Sequence, residues 1–324
     1  MESLLTVENL KMYYDTLRGS VRAVDDVSFE VNKRQALGLA GESGCGKTSA
    51  ALSVIKMLPS NGRIIDGKIT LDGEDIVKMK EDEVRKRIRW KRISMIFQGA
   101  MNALHPTYTI GYQITEAIVK HEDVKKREAE ERAGKLLELV GIEASKVDRY
   151  PHELSGGMKQ RAVTAMALAC DPDLIIADEP TTALDVIVQA QVLRVIKELK
   201  SRLDISMILI SHDLSMIAET CDKSAIMYAG KIVEYGDVVP LFTEPLHPYT
   251  QKLINAFPSV LGPKKELTSI HGFPPDLLNP PSGCRFHPRC EHSMEICRLK
   301  EPALTETGKK KRQVACHLYG ESKI

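Results

Sequence analysis

The chain has 324 residues, 43% of them apolar, which is enough for one large or two medium folded domains and excludes a disordered polymer. Its 45 Lys and Arg against 44 Asp and Glu leave a formal charge of +1, which excludes the global basic excess of a protein whose main partner is a nucleic-acid backbone. No run approaches the ~18 to 20 consecutive apolar residues that cross a bilayer. The start, Met1-Glu-Ser-Leu-Leu-Thr-Val-Glu, lacks the basic and apolar regions of a secretory signal. The chain is therefore expected to stay in the cytosol.

In chain order, the patterns predict strands over 23–31, 36–40, 68–71, 93–97, 174–177, 206–210 and 223–228. Between them, helical periodicity covers about 47–57, 110–120, 125–140, 158–170, 186–202 and 214–221. This alternation predicts an α/β domain with a largely parallel sheet. The stretch 98–169 holds consecutive helical patterns and almost no strand signal, so it reads as a helical insert. After Glu244 come ten of the chain's 16 prolines, and such a tail is not expected to form a regular sheet or bundle.

The sharpest local signal is Gly41-Glu-Ser-Gly-Cys-Gly-Lys-Thr48, placed between the strand ending at Ala40 and the helix beginning at Lys47. Glycines let the backbone wrap closely around phosphates, and the amides of Ser43, Gly44, Cys45, Gly46 and Ser49 with the helix N-terminus attract anionic oxygens. Lys47 is expected to reach the β- and γ-phosphates and Thr48 to offer a hydroxyl to Mg²⁺. A second element, Leu174-Ile-Ile-Ala-Asp-Glu179, is an apolar strand ending in two carboxylates. Asp178 suits the water-bridged shell of Mg²⁺, and Glu179 can polarise the water attacking the γ-phosphate. The bland alternative is that both merely cap the helix starting near Asp185. Together the two elements specify a phosphate-binding NTPase.

Seven cysteines are an odd number, and clustered ones in a reducing compartment are read first as metal ligands. Cys284, Cys290, Cys297 and Cys316 fall in the last 41 residues, spaced by 5, 6 and 18 residues. That segment has little apolar core of its own, and metal could organise it. No paired knuckle of structural zinc is present, so the irregular spacing favours a [4Fe–4S] cubane over Zn²⁺ or over reduced or disulfide-paired thiols. Cys45, Cys170 and Cys221 read as small packed residues. Lys309-Lys-Lys-Arg312 reads as a solvated basic turn.

At Leu154-Ser-Gly-Gly-Met-Lys-Gln-Arg161 the chain resembles the signature motif of the ATP-binding cassette (ABC) family. Physically, Ser155, Gly156 and Gly157 open a second anion-receptive helix N-terminus. The resemblance implies a nucleotide-binding domain with a P-loop core, a β-subdomain and a helical insert over 1–257, followed by a small irregular cysteine-ligated domain over 258–324. It implies head-to-tail pairing in which each ATP lies between the phosphate loop of one subunit and the signature of the other. It also implies that Gln98 contacts Mg²⁺ and the attacking water, that Asp185 lies in the segment crossing the dimer interface, and that His212 holds the γ-phosphate and Glu179. Tyr14, or alternatively Tyr13, matches the aromatic that stacks on adenine.

More narrowly, Arg22-Ala-Val-Asp-Asp-Val-Ser-Phe29, Tyr150-Pro-His-Glu-Leu-Ser-Gly-Gly-Met158, Asp178-Glu-Pro-Thr-Thr-Ala-Leu-Asp185 and His247-Pro-Tyr-Thr250 resemble the ATPase subunits of dipeptide and oligopeptide importers. That likeness supports an iron–sulfur tail. It implies a peripheral protein on the cytoplasmic side of the membrane, with a second ABC ATPase as partner in a heterodimer or a homodimer. Two transmembrane permeases would dock over Gln98 and the insert, an extracytoplasmic peptide-binding protein would act indirectly, and no nucleic acid is involved. Gly99-Ala100 departs from the acidic residue and proline that many relatives carry after the glutamine. The alternatives are a transporter ATPase for another small solute, or a soluble ABC ATPase acting on nucleic acid or ribosomes. The latter usually carry paired cassettes, long coiled-coil inserts or extra basic domains, and none occurs in this sequence. A purely regulatory subunit is disfavoured because Lys47, Asp178, Glu179 and His212 are all present.

Overall fold

The computed structural model describes residues 2–182, 184–256, 270–308 and 312–319. The strands are β1 (Ser3–Thr16), β2 (Gly19–Asn32), β3 (Ala36–Ala40), β4 (Gly62–Leu71), β5 (Glu74–Asp75), β6 (Ile93–Ile96), β7 (Leu174–Asp178), β8 (Ser206–Ser211), β9 (Lys223–Tyr228), β10 (Lys231–Asp237), β11 (Thr305–Thr307) and β12 (Arg312–Val314). The main helices are α1 (Lys47–Val54), α2 (Ile110–His121), α3 (Lys126–Leu139), α4 (Gly156–Ala167), α5 (Val186–Leu203), α6 (Leu214–Thr220), α7 (Val238–Thr243), α8 (Pro248–Asn255) and α9 (Glu295–Leu299). Among the described residues no helix is long and apolar enough to cross a membrane.

The chain divides into two compact units. The first contains Val31–Ala36 and Lys78–Leu209. Here β6 pairs with β7 in parallel, Ile93 opposite Leu174 and Ile96 opposite Ala177. All five residues of β7 are buried, as expected of a strand covered on both faces. Helix α2 buries Ile110, Ile114, Ala117 and Ile118, and α3 buries Ala129, Ala133, Leu136 and Leu137, which is the i, i+4, i+7, i+8 stripe of an amphipathic helix. Both stripes enter one core with Leu154, Ala162, Val163 and Leu168. Fully burying each Ile or Leu of this core stabilises by roughly 1.5–3 kcal/mol relative to exposure. Gly111 permits the close approach of α2, since a Cβ there would lie 2.0 Å from Val147 Cγ2.

The second unit contains Ser3–Glu30, Leu37–Val77 and the described residues from Ile210 onward. A four-stranded sheet in the order β2-β1-β4-β5 carries the antiparallel β1–β4 pairing, with Tyr14 opposite Gly62. A separate ladder runs from β3, parallel to β9, through antiparallel β10 to β12 and β11. The proline-rich tail therefore does contribute sheet, through strands only three residues long. Arg312, expected in a solvated basic turn, is instead buried and donates from Nη1 to the carbonyls of Pro240 (2.5 Å) and Glu244 (2.6 Å). Lys309–Lys311 of that expectation lie outside the described residues.

The tail is organised by docking, not by a core of its own. Phe286 is 1% exposed and its ring meets those of Tyr228 (5.1 Å, edge-on), Tyr249 (5.4 Å) and His247 (5.8 Å). His247 caps α8, accepting the amide of Tyr249 at Nδ1 (3.0 Å), and burial pushes its pKa down to about 3, so the ring is neutral. The Glu234 carboxylate accepts the amides of Leu246 (3.0 Å) and His247 (2.9 Å) and fixes the approach to that helix.

Candidate nucleotide site

The phosphate loop leaves β3 at Gly41 and enters α1 at Lys47. Gly41 and Gly46 have φ of +146° and +106°, and a Cβ at either would lie 2.1 Å from a main-chain oxygen, that of Met227 or Ala23. Only glycine fits both positions. Ser43, Gly44 and Thr48 are exposed, whereas Cys45 and Lys47 are buried at 5% and 6% exposure. Lys47 Nζ donates to the carbonyls of Gly41 (2.7 Å) and Glu42 (3.0 Å). Burial pushes the Cys45 thiol up, in keeping with a packed, inert cysteine.

Of the two candidate tyrosines, Tyr14 stands 3.0 Å from Ser49 Oγ through its hydroxyl, beside the start of α1. Tyr13 instead donates to Asp25 Oδ1 (2.8 Å), and burial followed by that bond raises its pKa to about 12. Asp25 is also paired with Arg285 of the tail, which donates to the Ala229 carbonyl as well. Burial alone would raise the Asp25 carboxyl, but the Tyr13 bond, Lys231 and Arg285 hold it below its ordinary value.

In the first unit, Asp178 closes β7 at 2% exposure and Glu179 follows it at φ +46°, a left-handed conformation uncommon for a residue with a side chain. Glu179 Oε2 accepts from Gln98 Nε2 (2.9 Å) and Thr182 Oγ1 (3.1 Å), so residues 81 positions apart converge on one carboxylate. The carboxylate pair does not cap α5. Asp185 does so itself, accepting the amide of Val188 at 2.9 Å. Ser155 caps α4, accepting from Met158 N at 3.4 Å, and it is exposed with Gly156 at that helix end. Gly157 is buried, and a Cβ on it would lie 2.4 Å from Val188 Cγ1. His212 follows β8 and is exposed. Ala183, in the Ala183-Leu-Asp185 segment, lies outside the described residues.

The four-cysteine expectation finds no support as a metal centre. Among the described residues no group of three or more His, Cys, Asp or Glu is arranged to hold a metal ion. All four cysteines are unbridged. The spacing points to a metal only if the tail needs one to compensate for a missing core. In the structure that need is met by Phe286, Arg285 and the Cys284 amide, which donates to the Cys297 carbonyl at 2.8 Å. Sequence reasoning also missed Thr182 and Arg289. Arg289 Nη1 and Nη2 grip the Glu42 carboxylate at 2.7 and 3.0 Å, and only its position beside Cys290 marks it in the sequence.

The family model described as "ABC transporter" matches residues 24–182, and the one described as "Oligopeptide/dipeptide transporter, C-terminal region" matches 233–297. The chain is 45% identical to the oligopeptide transport ATP-binding protein AppD of Bacillus subtilis, over 99% of this chain and 98% of that one. It belongs to the ABC transporter ATPase family. Its branch is the one bearing the oligopeptide/dipeptide C-terminal region. The dipeptide transport ATP-binding protein DppD of Escherichia coli is 42% identical over 97% of this chain and 96% of its own. Among solved structures, a dimeric ATP-binding cassette bound to ADP and Pi aligns with a TM-score of 0.65 at 22% identity, covering 72% of this chain and 99% of that one. The cassette cbiO1 of Clostridium perfringens aligns at 0.66 and 24%, covering 75% and 92%. These two likenesses show the nucleotide-binding α/β fold.

Proposed function

We propose that this chain is the ATP-hydrolysing subunit of an importer for dipeptides or oligopeptides. The observation that carries this reading is the match over 233–297, the region in which His247, Tyr249 and Phe286 pack together, in a chain similar along its whole length to transport ATP-binding proteins of that name. In this reading the phosphate loop and Lys47 would take the phosphates of ATP, Thr48 and Gln98 would hold its Mg²⁺, and Asp178 would reach the metal through water. Glu179 would polarise the water, and His212 would hold the γ-phosphate and Glu179. The hydroxyl of Tyr14 beside Ser49 favours Tyr14 over Tyr13 for the adenine. Ser155, Gly156 and Gly157 of a second ABC ATPase close over the nucleotide, and Asp185 lies on the same interface. The nucleotide-binding part is 1–257 with its insert over 98–169, and the tail is 258–324.

In this reading the membrane partners are two permeases docked over Gln98 and the insert, with the subunit peripheral on the cytoplasmic face, and the exposed Tyr108 and Tyr112, stacked at 4.8 Å, support a docking surface there. The test is purification of the tagged chain from detergent-solubilised membranes, followed by assay of peptide-stimulated hydrolysis. Two permeases and a second ATPase should accompany it, and peptide with its binding protein should raise turnover. Ribosomes or DNA in their place would overturn the assignment.

A second reading concerns the cysteines, and the observation that favours it is their spacing, with Cys284, Cys290, Cys297 and Cys316 all within the last 41 residues. The backbone joins two of them, the Cys284 amide donating to the Cys297 carbonyl at 2.8 Å. We infer that these four thiolates take a [4Fe–4S] cluster, with Zn²⁺ as the alternative, in a structural role. Anaerobically purified protein should then show broad visible absorbance and iron with sulfide in equal amounts. Colourless protein containing zinc or no metal would refute the cluster.

A further inference from the structure

Glu42, the second residue of the phosphate loop, is held at three points. Its amide donates to Tyr249 Oη at 2.9 Å, its carbonyl accepts from Lys47 Nζ at 3.0 Å, and its carboxylate receives both prongs of Arg289 at 2.7 and 3.0 Å. Arg289 is itself locked. Its side chain is 6% exposed, it lies 5.7 Å over the Tyr228 ring, and it donates to the carbonyls of His271 (2.9 Å), Gly272 (3.2 Å) and Ile270 (3.3 Å). A two-pronged, enclosed guanidinium–carboxylate pair fixes direction as well as distance, which an exposed single-bond pair does not.

We propose that Arg289 is a positioning residue for ATP binding, through which the proline-rich tail sets the phosphate loop. The path is short. Arg289 holds Glu42, and Glu42 supplies an acceptor for the ammonium of Lys47. The pair also neutralises a carboxylate at the mouth of a loop built for anions. Without the guanidinium, that charge would stand beside the triphosphate and repel it, and the carbonyl partner of Lys47 would shift. Arg289 touches no reacting atom in this scheme, so the effect falls on nucleotide affinity and not on the chemical step.

The test is steady-state hydrolysis and fluorescent-nucleotide binding with the full-length chain, together with its partner ATPase where activity needs it. Arg289→Met is expected to raise the KM for ATP about tenfold with kcat within about twofold, the pattern of lost ground-state binding. Adding Glu42→Gln to that variant removes the repelling charge and should recover at least about threefold of the affinity. A purely structural role predicts no such recovery, because the second change would only add damage. Arg289→Lys, which keeps the charge but loses one prong, is the second variant should Arg289→Met fail to fold, and its KM is expected to rise about threefold. A wild-type KM in a folded Arg289→Met or Arg289→Lys variant, or a double variant no better than Arg289→Met, would overturn the proposal.

Discussion

Glu179→Gln should lower steady-state ATP hydrolysis by about two to four orders of magnitude, the range associated with loss of a general base, while ATP stays bound. The substitution keeps size and shape. The new amide can still accept the Thr182 hydroxyl now 3.1 Å from the carboxylate, and its oxygen can still face the Gln98 amide now at 2.9 Å. What it loses is the negative charge that polarises water. The left-handed backbone at this position, φ +46°, is retained by either side chain, so folding should not change. The measurement pairs phosphate release with retention of labelled ATP after gel filtration. Undiminished turnover would remove Glu179 from the proposed role, whereas loss of both turnover and ATP binding would point to a damaged fold.

The parts of the molecule legible in the sequence are those whose signal is local. β3 spans Ala36–Ala40 and β9 Lys223–Tyr228, as the apolar runs predict, because strands buried on both faces advertise themselves as continuous apolar segments. The helices that Asp185 and Ser155 cap were legible in the helical periodicity that follows them, over 186–202 and 158–170. β1 was not, because its 14 residues mix buried and exposed positions and its register slips between Glu8 and Lys11, which breaks the period of two. β11 and β12 are three residues each, too short to pattern, and exist because β10 offers an edge. The phosphate loop was fully legible, since its glycines, lysine and threonine all lie between Gly41 and Thr48. The grip of Arg289 on Glu42 was not, because 247 residues separate the partners and neither carries a motif for the other. The cysteine tail is legible in part. Spacing marks the four cysteines, but not the aromatic cluster and two buried arginines that tie the segment down, because their partners lie far away in the sequence.

Lys47→Ala is expected to weaken ATP binding by about 100-fold or more, which corresponds to about 2.7 kcal/mol. What surrounds the ammonium decides the size of this effect. Lys47 is 6% exposed and its hydrogen bonds run to the carbonyls of Gly41 and Glu42 and weakly to Cys45 Sγ, groups that orient the charge without neutralising it. Burying a cation against dipoles alone is unfavourable, so the loop carries a positive charge that an incoming triphosphate relieves. Alanine removes both the attraction and the burial cost. The variant should therefore melt no lower than the native protein without nucleotide, yet gain much less when ATP is added, while the native protein shifts upward as binding to the folded state requires. Thermal unfolding with and without MgATP reads both effects at once. An equal ATP-induced shift in the two proteins would show that the lysine does not hold the phosphates. A low melting temperature in the absence of ATP would instead assign it a structural part in the loop, through the two carbonyls it now joins.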